Sequence, residues 1–136
     1  MICLVGFIVL IVVIAMYMMY TDVKRESRRL EQFDEPKLKV ILFHATWCGH
    51  CVKYLASDVF LKTYNAEVKN SPMLAGVVFE QLDYDKNKDL ADKYNISSFP
   101  SIVAVSGKGA LVGEFKGDRY NKDELIKFAS DSLKGL

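Results

Sequence analysis

The chain has 136 residues, room for one domain of ordinary size, and 18 Lys and Arg against 17 Asp and Glu give a formal net charge of +1. This balance gives no sign of nucleic-acid binding or of a strongly acidic partner. The charge is unevenly distributed, because the first 20 residues carry none of it. An apolar N-terminus is therefore joined to a remainder with the composition of a soluble domain.

The apolar N-terminus is predicted to be a membrane anchor. Residues 2–20 are uncharged, and as a helix rising about 1.5 Å per residue they span about 29 Å, close to the hydrocarbon core of a bilayer. Tyr17 and Tyr20 stand at the downstream end, where aromatic rings favour the membrane interface. A cleaved signal peptide is the alternative, but no basic residue precedes the run and no small-x-small cleavage site follows it. We expect residues 1–20 to form an uncleaved single-pass anchor, in which Cys3 acts as a small apolar side chain.

A charged segment, residues 21–36, follows the anchor and is predicted to be a juxtamembrane connector that ends at Pro36. Its basic residues come directly after the apolar run. Under the positive-inside rule they hold the downstream domain on the cytosolic side of the membrane. The four residues are Lys24, Arg25, Arg28 and Arg29.

Residues 37–136 alternate between strand-like and helix-like patterns. Continuous apolar runs at 38–43 and 77–82 predict strands buried on both faces of a sheet. Between them, apolar residues at helical spacing predict one helix from Gly49 to about residue 69, ended by Ser71 and Pro72. The inward stripe of that helix is predicted to be Val52, Leu55, Val59 and Phe60.

The second half of this region predicts a short helix, a hairpin and a last helix. The short helix covers residues 88–94, with Asn87 as its N-cap and Asn95 in a left-handed conformation after it. Strands at 101–106 and 110–115 flank a tight turn, and the last helix begins at Asn121, with Glu124 closing a capping box. The order β-α-β-α-β-β-α predicts an α/β fold: a small mixed sheet flanked by helices, its first two strands parallel and its last two antiparallel. The inward stripe of the last helix is Leu125, Phe128, Ala129 and Leu133.

Two cysteines separated by two residues, Cys48 and Cys51, lie where the first strand gives way to the first helix. Unpaired N–H groups and the positive end of the helix dipole stabilise an anion at that position, and a thiolate is the anion available. Placement therefore predicts Cys48 as a nucleophile and Cys51 as the thiol that resolves its mixed disulfide. A zinc site is the weaker reading, because His44 and His50 crowd the pair in sequence and no second CxxC exists. A purely structural disulfide rarely spans so small a loop.

The motif WCGHC at residues 47–51 is similar to the active site of protein disulfide isomerases, and the chain resembles the thioredoxin superfamily. The stretch DYDKNKDLADKYNISSFPSIVAV at 83–105 is similar, without gaps, to that family's second strand end, short helix and third strand. SFPS lies where the family places its cis-proline, and FKGDR at 115–119 where it places the glycine of its closing strand. The resemblance covers residues 37–134 and implies a thioredoxin-like fold.

The resemblance also implies roles for individual residues. Cys48 would be the attacking thiolate and would form a redox-active disulfide with Cys51, while His50 as a cation would stabilise the thiolate. Pro100, in the cis form, would sit against the disulfide and leave the backbone around Phe99 free to pair with an extended substrate. The Gly-His dipeptide favours the more oxidising, isomerase-like end of the family. The resemblance assigns the substrate groove to Trp47, Gly49, Phe99 and Pro100.

Three positions depart from the family pattern. Leu42 stands where the family buries an acid as the proton acceptor for the second thiol, and Gln81 where it has a lysine partner. Ala56 replaces the usual mid-helix proline. Deprotonation of Cys51 would then depend on water or His50. His44 is interpreted as a packed or half-exposed side chain.

We therefore expect a membrane-tethered thiol–disulfide oxidoreductase that exchanges or isomerises protein disulfides, without metal or organic cofactor. Its partners would be cysteine-containing protein substrates, a redox protein or glutathione, and the membrane through residues 2–20, with no nucleic acid. The rival is a thioredoxin-fold binding or assembly module with little turnover, which Leu42 and Gln81 favour. A second rival is an anchored reductant for cofactor or metal-centre maturation, which the Gly-His dipeptide disfavours. The flanking charge favours the cytosolic side, and the isomerase-like motif favours a secretory lumen.

Overall fold

The computed structural model describes residues 2–136, and the side chains of residues 2–5, 9 and 26–34 lie outside that description. The chain divides into two compact units, Met1–Glu35 and Pro36–Leu136. Three side chains used in the predictions above, those of Cys3, Arg28 and Arg29, lie outside the described residues.

The first unit is one long helix, α1, Ile2–Asp34. Its described apolar side chains are exposed, as Phe7 at 66% and Met19 at 71% illustrate. The stretch Gly6–Arg25 is long and apolar enough to cross a membrane by length and composition, a test that a signal sequence near an N-terminus also passes. The helix continues without a break past residue 20, so most of the predicted connector is helical.

The second unit is built on a four-stranded mixed sheet with the strand order β2-β1-β3-β4. Strand β1 pairs in parallel with β2 and antiparallel with β3, and β3 pairs antiparallel with β4. This topology confirms the predicted thioredoxin-like arrangement. The strands are Leu38–His44 (β1), Val77–Asp83 (β2), Ser101–Ser106 (β3) and Leu111–Glu114 (β4), the last of which is two residues shorter than predicted.

The predicted single helix from Gly49 to about residue 69 is wrong, because the chain breaks it at Asp58. Asp58 adopts a left-handed conformation with φ 55° and ends α2, Gly49–Ser57, by donating its N–H to the carbonyl of Leu55. Helix α3, Val59–Thr63, follows Asp58 and runs into a π-helical turn, Tyr64–Val68. The remaining helices are α4, Lys88–Lys93, and α5, Lys122–Lys134, with 3₁₀ turns at Pro72–Leu74 and Tyr84–Lys86.

The inward stripe of the broken helix differs from the prediction at one position. Val52 is 53% exposed, whereas Cys51 and Tyr54 are buried. Phe60 is buried as predicted, and its ring packs 4.8 Å from that of Phe79 on β2. Aromatic pairs of this kind contribute roughly 0.5–1.5 kcal/mol beyond their buried area.

The sheet carries a core on each face, because successive side chains of a strand point to opposite sides. Leu38, Val40 and Leu42 of β1 pack with Tyr54 and with residues of α3 and α5. Ile41 and Phe43 pack on the other face with residues of β3 and α4. The carboxyl end of β1 therefore emerges between two packed layers. The first core also contains Phe60, Val77, Phe79, Ile102, Leu125 and Ala129, and the second contains Ala91, Tyr94, Val103 and Val105.

The predicted cap of α5 is confirmed in part. The side-chain oxygen of Asn121 accepts the N–H of Asp123 at 3.0 Å. Glu124 does not close a capping box on the backbone of Asn121, whose N–H donates instead to Asp118. The Glu124 carboxylate accepts the side-chain amide of Asn121 at 3.3 Å and the N–H of Asp118 at 2.8 Å.

The predicted cap of α4 is wrong at the side-chain level. Asn87 precedes the helix, but its side chain makes no capping hydrogen bond and donates instead to the carbonyl of Asp83 at 2.9 Å. After the helix, Asn95 is left-handed with φ 56°, as predicted. The end of α4 is therefore set by local backbone geometry, and its start is tied back to β2.

Candidate active site

Cys48 stands at the junction between β1 and α2. It is half-buried and has the extended conformation of an N-cap residue, with φ −91° and ψ 111°. Its carbonyl accepts the N–H of Val52 at 3.0 Å, the first hydrogen bond of the helix. The Cys48 sulfur is therefore beside helix N–H groups that have no partner within the helix.

The surroundings of Cys48 lower the pKa of its thiol. The main-chain N–H of Cys51 is the largest cause, followed by a hydrogen bond from the Cys51 thiol. The main-chain N–H of His50 and the charge of Arg119 act in the same direction, while partial burial opposes them. A thiolate is thus favoured at position 48, for the physical reason that the sequence predicts.

Cys51 has the opposite environment. It is fully buried, and its sulfur accepts the N–H of Ala45 at 3.5 Å. Burial is the main reason that the pKa of the Cys51 thiol rises to about 11. Both cysteines are free thiols in this structure. Cys48 is therefore the more acidic and the more accessible of the two thiols.

The opposite wall of the site comes from the loop before β3. The peptide bond between Phe99 and Pro100 is cis, as predicted, and Pro100 is buried. The Cys48 thiol donates to the carbonyl of Phe99 at 3.6 Å. Arg119 donates to the carbonyl of Pro100 at 3.2 Å, which ties the loop before α5 to the same wall.

Trp47 forms the rim of the site. Its side chain is 65% exposed, its indole N–H donates to the carboxylate of Asp85 at 3.2 Å, and its ring packs edge-on against Phe99 at 5.9 Å. The indole is therefore oriented from two sides although most of its surface is open to solvent.

A surface cleft of about 510 Å³ opens beside Cys48. His50 lies in its wall, exposed, and contributes its main-chain N–H to the Cys48 thiolate; the predicted role of its imidazole as a cation stays a prediction. Gly49 opens α2, and a Cβ added there would meet no described atom within 4 Å, so no close contact requires glycine. The cleft is lined by His50, Lys53, Phe99, Pro100, Gly117, Asp118, Arg119 and Tyr120.

The structure brings the predicted residues at 47–51 and 99–100 together around one sulfur. Arg119 and Asp85 also belong to the site, although neither was predicted. Arg119 is the last residue of the quoted stretch FKGDR, two residues after Gly117, and its charge beside that glycine was the available signal. The sequence carries no signal for Asp85, because only the fold brings it close to Trp47.

The residues that depart from the family pattern lie on β1, β2 and α2. Leu42 is fully buried, and Gln81 is its partner in the register of β1 and β2. A leucine and a glutamine therefore stand where the resemblance implies an acid and a lysine. Ala56 is exposed on α2.

A dithiol at a strand-to-helix junction, opposite a cis-proline on a mixed four-stranded sheet, defines a thioredoxin-like protein. The family profile described as Thioredoxin matches residues 23–131 of the chain. The chain belongs to the thioredoxin family.

The relatives include protein disulfide isomerases. Protein disulfide isomerase-like 2-2 of Oryza sativa subsp. japonica is 37% identical over 98 residues, which cover 72% of this chain and 24% of that protein. Protein disulfide-isomerase 1 of Dictyostelium discoideum is 32% identical over 101 residues, covering 74% and 26%. The chain spans about a quarter of the length of these curated relatives. They support thiol–disulfide oxidoreductase chemistry at the level of the family.

Solved structures show the same fold. The first two thioredoxin domains of Saccharomyces cerevisiae Eps1p match with a TM-score of 0.60 at 27% identity, covering 78% of this chain and 39% of that chain. Schistosoma mansoni thioredoxin matches with a TM-score of 0.54 at 26% identity, covering 78% of this chain and 86% of that chain.

Proposed function

We propose that the protein is a membrane-anchored thiol–disulfide oxidoreductase that exchanges or isomerises disulfides of protein substrates through Cys48 and Cys51. The observation that carries the proposal is the opposite environment of the two sulfurs: Cys48 is accessible with a lowered pKa, and Cys51 is buried with a raised one. A nucleophile and a resolving thiol need this difference. Residues 1–20, 21–36 and 37–136 would serve as anchor, connector and catalytic domain.

In reduction, the Cys48 thiolate attacks a substrate disulfide, forms a mixed disulfide and releases one substrate thiolate. Cys51 then loses its proton and attacks the Cys48 sulfur, so that the Cys48–Cys51 disulfide forms and the second substrate thiolate leaves. Two electrons pass to the substrate. Oxidation of a substrate dithiol is the reverse sequence, and a redox protein or the glutathione pool restores the starting state.

The substrate would lie in the cleft beside the Phe99–Pro100 wall, with Trp47 at its rim against Phe99. The exposed indole offers apolar contact area, and the loop before β3 offers backbone for pairing with an extended chain. His50 and Gly49 would complete this groove. The anchor would restrict the reaction to substrates near one membrane.

Turnover of insulin and of scrambled ribonuclease by the full chain in detergent tests the proposal. We expect the unmodified chain to be active. Cys48→Ser should abolish the activity, because serine cannot form the mixed disulfide. Cys51→Ser should accumulate the mixed disulfide between Cys48 and the substrate, because no resolving thiol is left. Activity that survives Cys48→Ser would contradict the mechanism. Absence of activity in the unmodified chain would favour a binding or assembly module, the alternative supported by the buried Leu42.

Protease protection in sealed membranes tests the anchor and its sidedness. An integral chain remains in the pellet after carbonate extraction, because the bilayer holds its apolar helix. Protection of residues 37–136 from added protease would place them in the lumen, and digestion would place them on the cytosolic side. Release of the chain by carbonate would exclude the anchor.

A further inference from the structure

The buried Leu42 leaves Cys51 without the carboxylate that the family resemblance implies, although the resolving step needs a proton acceptor. We propose that His44 is this acceptor: its imidazole takes the proton of the Cys51 thiol when the mixed disulfide at Cys48 is resolved. The proposal rests on the proposed function, because it concerns the second of the two exchange steps.

The alternation of β1 places His44 on the same face as Leu42. Leu38, Val40 and Leu42 pack into the core that contains Tyr54, whereas Ile41 and Phe43 pack into the core on the other face. Two residues beyond Leu42, His44 therefore faces the side of the sheet that α2 covers. Cys51 lies on the buried face of α2, one turn before Tyr54.

The sulfur of Cys51 is close to the backbone of His44. It accepts the N–H of Ala45 at 3.5 Å, and that amide belongs to the peptide group that joins His44 to Ala45. An amide nitrogen is about 2.4 Å from the preceding Cα, so the sulfur is within about 6 Å of the His44 Cα. Nδ1 of the imidazole makes no hydrogen bond to that sulfur in this structure. At this distance one water between Nδ1 and the sulfur would carry the proton.

The imidazole has an unused nitrogen in the interior. Nδ1 of His44 is buried and has no hydrogen-bond partner among the described residues, while the residue as a whole is only half-buried. Buried polar atoms of proteins nearly always have a partner, so a nitrogen left without one needs a reason. In the tautomer with its proton on Nε2, Nδ1 is a free acceptor. Histidine is also the side chain whose ordinary titration lies nearest to neutral pH.

The titratable and charged groups around His44 and the cysteine pair already have partners. Asp83 is its register partner on β2, and the Asp83 carboxylate accepts the N–H of Asp85 at 2.9 Å. The hydroxyl of Tyr54 donates to the carbonyl of Arg119 at 2.9 Å, and the Arg119 guanidinium donates to Pro100. His44 is thus the group on this face with a free buried lone pair in the described part of the chain.

In the resolving step the Cys51 S–H bond breaks and its proton passes through one water to Nδ1 of His44. The sulfur electron pair left on Cys51 attacks the sulfur of Cys48. The Cys48–Cys51 bond forms, the bond to the substrate sulfur breaks, and the substrate leaves as a thiolate. His44 then releases a proton to solvent from Nε2. In the oxidising direction the imidazolium protonates Cys51 as it leaves.

The two releases of thionitrobenzoate from 5,5′-dithiobis(2-nitrobenzoate) separate the two steps. Cys3→Ala, which removes the third thiol of the chain, is the background for every variant in this experiment. With this reduced full chain in detergent, attack by Cys48 releases the first thionitrobenzoate, and attack by Cys51 on the resulting mixed disulfide releases the second. We expect His44→Phe, which keeps an aromatic ring, to leave the first phase unchanged and to slow the second about 100-fold at pH 7, as loss of a general base does. Asp83→Asn, which keeps the acceptor for the N–H of Asp85, is the matched control and should change neither phase.

The pH dependence separates proton transfer from loss of structure. Without an acceptor, the second phase depends on spontaneous ionisation of Cys51, whose pKa burial raises. Below that pKa the thiolate fraction of Cys51 rises about tenfold per pH unit. The ratio of the second-phase rates of the unmodified chain and of His44→Phe should therefore fall from neutral pH to pH 9. A ratio that stays constant, an unchanged second phase in His44→Phe, or a slow second phase in Asp83→Asn would overturn the proposal. Absence of a second phase in the unmodified chain would instead contradict the proposed function.

Discussion

At the scale of single residues, Cys48 and Cys51 show how one turn of helix gives two identical side chains different chemistry. The first has helix N–H groups around it, and the second has the protein interior. Their acidities are linked, because Cys51 donates from both its main chain and its thiol to the Cys48 sulfur. The difference in acidity between the two thiols is measurable in two ways.

The first concerns the acidity of Cys48. Its alkylation by iodoacetamide, followed on the Cys48 peptide by mass spectrometry, should have a pH midpoint below the ordinary cysteine value of about 8.5. Cys51→Ala should raise that midpoint only part of the way, because it removes the thiol donor and keeps the main-chain N–H, the larger cause. A midpoint at the ordinary value in the unmodified chain would contradict the site as described.

The second concerns alkaline stability. An unfolded thiol ionises near pH 8.5, and the folded Cys51 thiol near 11, so the folded state holds its proton through this window. The contribution of the Cys51 thiol to the free energy of unfolding is fully present below about pH 8.5 and is lost as the pH rises toward 11. In urea, under reducing conditions, the unmodified chain should lose more free energy of unfolding than Cys51→Ala between pH 8 and 10.5. Tyr54, whose pKa burial also raises, is present in both proteins and cancels from the comparison.

At the scale of elements, local backbone features decide where the helices begin and end. Helix α5 starts at a side-chain cap, and α2 ends at a left-handed aspartate. Asn121→Ala should lower the free energy of unfolding by about 1 kcal/mol, because it removes the acceptor for the Asp123 N–H. Asn121→Ser keeps an acceptor and is the control; equal losses in the two variants, measured by urea denaturation, would show that the cap contributes nothing.

The sequence predicts what periodicity and local chemistry determine. The four strands, their order along the chain and the position of Cys48 follow from apolar runs and from the turn that separates strand from helix. The break at Asp58 was missed, because apolar spacing continues across it and only one backbone angle changes. Spacing that fits one longer helix predicts Val52 on the inward face, although the shorter α2 leaves it exposed. Residue type alone predicts the cap at Asn87, and residue type does not show where the side chain donates. Arg119 and Asp85 reach the site from loops distant in sequence, and no local pattern reports such contacts.

At the scale of the whole molecule, the described cores lie entirely within the second unit. Every buried residue of the two cores lies between Leu38 and Ala129. Residues 36–136 alone should therefore unfold at the same temperature as the full chain in detergent, with the transition followed by circular dichroism. A midpoint lower by more than about 4 °C, equivalent to roughly 1 kcal/mol, would show that α1 contributes to the folded state of the second unit.

The chain contains a single tryptophan, and it is the neighbour of Cys48, oriented by Asp85 and Phe99. Tryptophan fluorescence, excited at a wavelength that the seven tyrosines do not absorb, therefore reports on the surroundings of Cys48 alone. Closure of a disulfide beside the indole should quench its emission, and reductant should restore it. Titration of this signal against mixtures of oxidised and reduced glutathione would give the midpoint potential of the pair without any label.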